Sequence, residues 1–143
     1  MKAWTDTNCP KLNPSKTKEI IFKRPRVQYF YMPPPLDDIE QLDCCMLLAV
    51  IFQYNFKMDL HIQFILSQCE QRLYILKLLL HQGLPDAQLS AIANAVIISR
   101  LLYALLAWGG FLSVELVNRI NAFSTSAAYW LSSVSYDCSR TYE

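Results

Sequence analysis

The chain has 143 residues, of which 53% are hydrophobic and 17% are charged, and its formal net charge is +1. This length favours a single domain, and the charged fraction is below the roughly 25% that is usual for soluble domains. So hydrophobic a composition argues against disorder along the whole chain. Three glycines are too few for a Gly-rich phosphate loop or for a β-barrel with many tight turns.

Positive charge is concentrated at the start of the chain. Residues 1–30 contain seven Lys and Arg against two Asp and Glu, a net charge of +5, whereas the remaining residues carry −4. A basic head of this kind binds phosphates in some proteins and is a solvated leader in others. On charge alone, the solvated leader is the favoured interpretation.

Short strands are predicted in the first part of the chain, after a disordered leader over residues 1–11. The β-branched and aromatic stretches Glu19–Lys23 and Val27–Met32 predict two of them. Pro33-Pro34-Pro35 then predicts a stiff, extended segment. Cys44–Phe52 is apolar over nine residues and fits a buried strand, although so short a run does not exclude a helix.

The pattern becomes helical after about residue 59. A first helix is predicted to end at Gly83 in the C′ position, and Ser113 is predicted to cap a third helix. Each of these two helices carries one apolar stripe predicted to be buried. The stripes are Ile62, Leu66, Cys69, Leu73, Leu76 and Leu80 in the first helix, and Leu116, Ile120, Phe123, Ala127 and Trp130 in the third.

The second helix is predicted from Asp86 to about Ala107, with Gly109-Gly110 ending it. It is apolar nearly all round and is therefore predicted to be the central helix of the three. Leu89–Phe111 is long enough to span a membrane, but Arg100 lies at its middle, where an Arg costs about 2.5–3.5 kcal/mol on insertion scales. A buried or oligomer-facing helix is favoured over a membrane span.

The remaining compositional signals point to an intracellular protein without a metal centre. Five cysteines show no paired spacing, and with only two histidines they provide no convincing structural zinc site. The first twenty residues contain no apolar signal-peptide region, and the odd number of cysteines favours a reducing compartment. We therefore expect the chain in the cytoplasm or the nucleus.

No catalytic constellation is apparent in the sequence. There is no G-x-S-x-G, and neither histidine lies in a triad context. Asp37-Asp38 is the only acidic pair that resembles a metal-binding motif, but it follows the proline run in a predicted loop, where a solvated turn is the simpler interpretation. We predict no catalytic residue, no metal ligand and no cofactor from these patterns.

Several motifs, however, resemble reverse transcriptases of non-LTR retrotransposons (LINE-like, jockey-like elements). Leu12–Phe22 (LNPSKTKEIIF) resembles the L-N-x-x-K-T-K motif near the end of the palm, and Pro33–Val50 resembles the next stretch, which ends in the primer-grip strand K-x-L-G-V. His61-Ile62 with Gln71–Lys77 resembles the H-I … Q-R-L-Y-x-L pattern of the first thumb helix. Two further motifs, S-R-x-x-Y-A-x-x-A-W-x-G-F-L-S and N-R-I-N-A-F, are matched by Ser99–Ser113 and Asn118–Phe123.

The pattern and the resemblance together imply an α+β fold that is mostly α, with short β-strands on the N-terminal side followed by a three-helix, thumb-like bundle. The predicted divisions are a leader over 1–11, the end of the palm with the primer-grip strands over 12–58, a helical thumb-like domain over 59–135, and a tail over 136–143. The resemblance covers about residues 12 to 129, and its motifs occur in the family's order.

The departures from the family concern catalysis and charge. The family's catalytic aspartates, including the Y/F-x-D-D pair, precede the L-N-x-x-K-T-K motif, and this sequence begins almost at that motif. The glycine of the primer-grip strand is Ala49 here, and the family's basic cluster after Phe123 is Ser124–Ala128. We therefore expect that this chain alone is not an enzyme, although the parent family uses Mg²⁺.

By resemblance, Lys16 is the candidate for the family's leaving-group acid, and Arg72, Lys77 and Arg100 are candidates for thumb contacts. A solvated helix face explains Arg72 and Lys77 equally well. For Arg100, the structural alternatives are a buried partner such as Asp86 or Glu115, or a capped helix end. The full set of candidate nucleic-acid contacts is Lys16, Lys18, Lys23, Arg24, Arg26, Arg72, Lys77 and Arg100.

The expected function is that of a truncated reverse transcriptase (RNA-directed DNA polymerase) fragment from a mobile element. Such a fragment lacks the catalytic aspartates and binds RNA or DNA at most weakly and without sequence preference. The alternative is a helical module for protein interaction, self-association or membrane association, without catalysis, that docks through Ala91–Trp108.

Overall fold

The computed structural model describes residues 13–23, 29–36 and 39–138. The chain forms two compact units, Met1–Lys57 and Met58–Glu143. The fold is α+β and mostly α, as predicted, with short strands in the first unit and helices in the second. The interpretation of these units as palm end and thumb remains a prediction.

The N-terminal unit contains two small sheets. Strand β1 (Lys18–Ile20) pairs in parallel with β2 (Glu40–Leu42), and β3 (Cys44–Leu47) pairs with β4 (Val50–Gln53) in an antiparallel hairpin. The segment after β1 is joined to the end of β4, since Phe22 stacks on Phe56 with ring centroids 4.3 Å apart.

The structure corrects two of the strand predictions. Cys44–Phe52 is a hairpin and not one strand, because Leu48 and Ala49 adopt φ angles of 47° and 63° and reverse the chain. The apolar run hid this turn, since it lacks the Asn or Gly that usually marks positive φ. The described part of Val27–Met32, residues 29–32, forms no strand, and Tyr29 is 92% exposed.

Helix α1 (Asp59–His81) ends as the sequence predicts. Gly83 adopts a φ of 85°, its N–H donates to the Leu80 carbonyl at 2.8 Å, and the N–H of Leu84 donates to the Leu79 carbonyl at 3.2 Å. This is a Schellman motif, in which a residue with positive φ satisfies the last carbonyls of the helix.

The second predicted helix is interrupted. Helix α2 (Asp86–Ala93) continues through a π-helical turn (Asn94–Ile98) into α3 (Ser99–Leu102). The chain then bends at Ala104, whose φ is 52°, before α4 (Leu105–Trp108) and a 3₁₀ turn (Gly109–Phe111).

The helix therefore ends before the glycine pair, whereas the sequence predicted that the glycine pair would end it. At the bend, the Trp108 indole N–H donates to the Tyr103 carbonyl at 2.9 Å and bridges the break. No local sequence pattern marks Ala104 as a residue with positive φ.

Helix α5 (Val114–Cys138) begins at the predicted cap, where the Ser113 hydroxyl accepts the N–H of Leu116 at 3.3 Å. Each of the helices α1, α2 and α5 contacts the other two. The buried apolar residues of this unit are Met58, Ile62, Ile65, Leu66, Cys69, Leu76, Leu89, Ala93, Ile97, Leu101, Trp108, Leu116 and Ala127.

The second helix buries only one of its apolar faces. Leu89, Ala93, Ile97 and Leu101 lie in the core at successive turns. Side chains on its other side are exposed, and they include Ile98, Leu102 and Leu106.

Candidate nucleic-acid interface

Lys16 lies at the end of a short 3₁₀ turn, Pro14–Lys16, and is exposed. Asn13 holds this turn: its side-chain oxygen accepts the Ser15 N–H at 3.1 Å, and its carbonyl accepts the Thr17 hydroxyl at 2.8 Å. Asn13 and Thr17 match two letters of the L-N-x-x-K-T-K motif that this segment resembles. Their local role is thus to fix the backbone that presents this lysine, a positioning role that the sequence analysis did not assign.

Lys18 has a carboxylate partner. It stands opposite Glu40 in the parallel β1–β2 pair, and its ammonium forms an ion pair with the Glu40 carboxylate. The pair is solvent-exposed and contributes little stability, but the nearby negative charge weakens any attraction of Lys18 to phosphate.

Lys23 contacts two aromatic rings. Its Nζ lies 5.4 Å from the ring centroid of Phe30 and 5.3 Å from that of Tyr54, within the range of cation–π attraction. Its backbone N–H also donates to the Tyr54 carbonyl at 2.7 Å. Lys23 therefore holds the N-terminal unit together, whereas Arg24 and Arg26 lie outside the described residues.

Arg72 is a structural residue of the helical unit and not a solvated one. It is half-buried on α1, and its Nη1 donates to the carbonyl of Val96 in the π-helical turn. Lys77 is exposed on the same helix, and its Nζ lies 5.8 Å from the ring centroid of Trp130 on α5. The solvated-face interpretation therefore describes Lys77 but not Arg72.

Arg100 packs against an aromatic ring. Its guanidinium carbon lies 5.8 Å from the ring centroid of Phe64, and its buried Nε has no hydrogen-bond partner in the described structure. Neither Asp86 nor Glu115 pairs with it, so the alternative of a buried ion pair with them is wrong. Arg100 does lie in the last turn of α3, which agrees with the alternative of a helix end.

Two of the predicted cations are brought together around Cys69. Burial raises the pKa of this thiol, the charges of Arg72 and Arg100 oppose the rise, and Glu70 adds to it. Burial also lowers the pKa of His61, and Arg100 lowers it further. The thiol is thus held protonated inside the helical unit, which is unsuitable for a nucleophile.

One cation on a groove was missed by the sequence analysis. Arg119 is exposed on α5 and lines a groove of about 700 Å³ between α1 and α5, together with Gln63, Ser67 and Glu70. Its place in the N-R-I-N-A-F segment was the available signal. Among residues 13–23, 29–36 and 39–138, no group of three or more His, Cys, Asp or Glu side chains is placed to hold a metal ion.

The chain matches no protein-family model, no curated protein and no solved structure. One segment of the described chain, Asp86–Phe111, is long and apolar enough to cross a membrane by length and composition, with a mean hydropathy of 1.8. Only 22% of its most apolar window is buried within the protein.

Proposed function

We propose that this chain is the end of the palm and the thumb of a non-LTR retrotransposon reverse transcriptase, inactive as a polymerase on its own. The observation that carries the proposal is the agreement between motif order and element order. The L-N-x-x-K-T-K segment forms the turn that presents Lys16, the primer-grip segment ends in the β3–β4 hairpin, and the thumb motifs fall on the helices that begin at Asp59.

The proposed lack of polymerase activity follows from the lack of the family's paired-aspartate motif in this sequence. Metal-dependent nucleotide transfer needs several carboxylates that converge on two ions. The 143 residues contain no Y-x-D-D or F-x-D-D sequence, and the one adjacent aspartate pair, Asp37-Asp38, follows the L-N-x-x-K-T-K motif instead of preceding it.

Nucleic-acid binding by this chain is proposed to be weak and independent of sequence. Lys18, Lys23 and Arg72 have protein partners, which reduces the number of predicted cations available to phosphates. Each phosphate contact contributes about −0.9 to the slope of log K against log salt concentration on duplex DNA. One to three contacts would therefore give a slope of roughly −1 to −3.

The test measures fluorescence anisotropy of a labelled RNA–DNA hybrid and of a labelled DNA duplex between 50 and 200 mM salt. Lys16→Ala is expected to weaken binding to both probes and to reduce the salt slope by about one. Lys57→Ala is the matched control, since Lys57 is an exposed lysine of the same unit outside the motif. A salt-independent signal, or equal effects of the two variants, contradicts binding through Lys16.

A second assay addresses catalysis directly. The purified chain is incubated with a primed RNA template, deoxynucleotides and Mg²⁺, and we expect no primer extension. Extension that persists after repeated purification overturns the proposal that the chain is catalytically inactive alone.

A helical docking module is the second candidate function, and a specific observation favours it. Between Asp86 and Glu115 the only charged residue is Arg100, which packs against Phe64. The outward side of this segment is therefore uncharged, and exposed apolar surfaces commonly mark protein or membrane interfaces.

A further inference from the structure

The helical unit contains an apolar cleft that has one guanidinium group in its lining. It has a volume of about 410 Å³ between α1 and the segment from α2 into the π-helical turn. Its apolar lining residues are Ile75, Leu76, Leu79, Ile92, Ala95 and Val96, and Arg72 is its only charged one. Mostly apolar clefts of this size with a few fixed polar groups are typical of small-molecule sites.

The π-helical turn builds the charged end of this cleft. A wider helical turn displaces carbonyl groups from the regular ladder, and π-turns occur frequently at functional sites. Here the Ala95 carbonyl accepts the Ser99 hydroxyl, and the Val96 carbonyl accepts Nη1 of Arg72. The guanidinium is thus anchored in place through one donor, and an arginine has five.

The charge at this end of the cleft is not neutralised within the described residues. No described carboxylate forms an ion pair with Arg72 or with Arg100. One guanidinium without a carboxylate partner in the lining of an apolar cleft favours a ligand that combines one negative charge with a hydrocarbon body.

We propose that this cleft binds an alkyl carboxylate, with the carboxylate on Arg72 and the chain against Ile75, Leu79 and Ile92. The planar guanidinium matches the two carboxylate oxygens, which favours this head group over an alcohol or an ammonium. The inference does not depend on the proposed function, since no predicted nucleic-acid contact other than Arg72 takes part in it.

The test is isothermal titration calorimetry of the full chain with dodecanoate, dodecanol and dodecyltrimethylammonium, all below their micelle concentrations. Dodecanoate is expected to bind at least tenfold more tightly than the other two. Arg72→Met is expected to reduce dodecanoate binding to the level of dodecanol, and Arg72→Lys, which keeps the charge without the planar fork, to lie between them.

Two further variants separate the cleft from general surface effects. Ala95→Trp fills the cleft from an exposed position and is expected to weaken dodecanoate binding at least tenfold with the arginine intact. Arg119→Met, an exposed arginine outside this cleft, is expected to change nothing. Circular dichroism checks the helical content of each variant, and the Ala95→Trp result decides the matter if Arg72→Met does not fold.

Two outcomes overturn the proposal. Equal binding of dodecanoate and dodecyltrimethylammonium would mean non-specific uptake of amphiphiles. Unchanged dodecanoate binding by Ala95→Trp would place the ligand elsewhere on the protein.

Discussion

His61 is buried in the helical unit, where its ring meets Trp108 edge-on with centroids 5.1 Å apart. Desolvation and the charge of Arg100 both lower its pKa. The folded protein therefore binds the His61 proton less readily than the unfolded chain does. As a result, the neutral imidazole is favoured in the core, and protonation of His61 at low pH destabilises the folded protein.

The lowered pKa of His61 determines how the stability of the protein depends on pH. The contribution of His61 is fully present above its unfolded pKa of about 6.5 and is lost as the pH falls below that value, by at most about 1.4 kcal/mol per pH unit. We expect the free energy of unfolding, from urea titrations, to decrease between pH 7.5 and pH 5.5.

The two histidines provide a matched pair for this measurement. His61→Gln is expected to flatten the dependence on pH, whereas His81→Gln is the control, since His81 is exposed in the last turn of α1. Equal slopes for wild type and His61→Gln would contradict the assignment to the buried ring.

At the level of elements, the β3–β4 hairpin turns through two residues that are poorly suited to its backbone. Leu48 and Ala49 both have positive φ, which L-residues other than Asn and Asp rarely adopt. A glycine stands at the Ala49 position in the primer-grip strand of the family that this chain resembles. Ala49 therefore replaces that glycine at a position where glycine would be unstrained.

Ala49→Gly is expected to stabilise the hairpin by up to about 1 kcal/mol, because glycine adopts positive φ without the steric penalty of a Cβ atom. Amide hydrogen exchange checks this, since about 1 kcal/mol slows exchange of the hairpin amides roughly fivefold.

Ala87→Gly is the matched control for this substitution. Ala87 is exposed in α2, and glycine there is expected to destabilise the protein by roughly 0.5–1 kcal/mol. Faster exchange of the hairpin amides in Ala49→Gly would show that this turn does not have positive φ in solution.

At the level of the whole molecule, the outward side of residues 86–111 decides between the two candidate functions. Leu102 is 59% exposed and Leu106 is fully exposed, and neither contributes to the core. If this face docks on a bilayer or on a second copy of the chain, the wild-type protein should float with neutral phospholipid vesicles or self-associate.

The double variant Leu102→Lys with Leu106→Lys is expected to abolish this association. Surface substitutions of this kind usually change stability by no more than about 0.5 kcal/mol, so the unfolding midpoint should stay nearly constant. Leu60→Lys with Tyr74→Lys is the control, because both residues are exposed on α1. A wild-type protein that remains monomeric and free of vesicles contradicts the docking module.

Local signals were sufficient for the helix ends that depend on one residue type. Gly83 as the C′ residue of α1 and Ser113 as the cap of α5 are where the sequence predicted them. Both follow from chemistry confined to a few neighbouring residues: a backbone that tolerates positive φ in one case, and a hydroxyl that accepts an orphan N–H in the other.

The candidate site was predictable only as a set of residue types. Nothing in the sequence indicated that Lys18 meets Glu40 or that Arg72 reaches Val96, since these partners are separated from them by 22 and 24 positions. The sequence alone does not show whether a cation in a basic stretch is available to phosphates. Its partner depends on which elements pack together in the folded chain.

The division into a strand-containing first part and a helical second part, the caps and the amphipathic stripes of α1 and α5 follow from short-range periodicity and side-chain chemistry. The bend at Ala104, the π-helical turn and the cleft beside Arg72 depend on tertiary packing. When a helix is apolar on every side, its sequence does not indicate which face its neighbours cover. Only the packed structure therefore determined which face of residues 86–111 is buried.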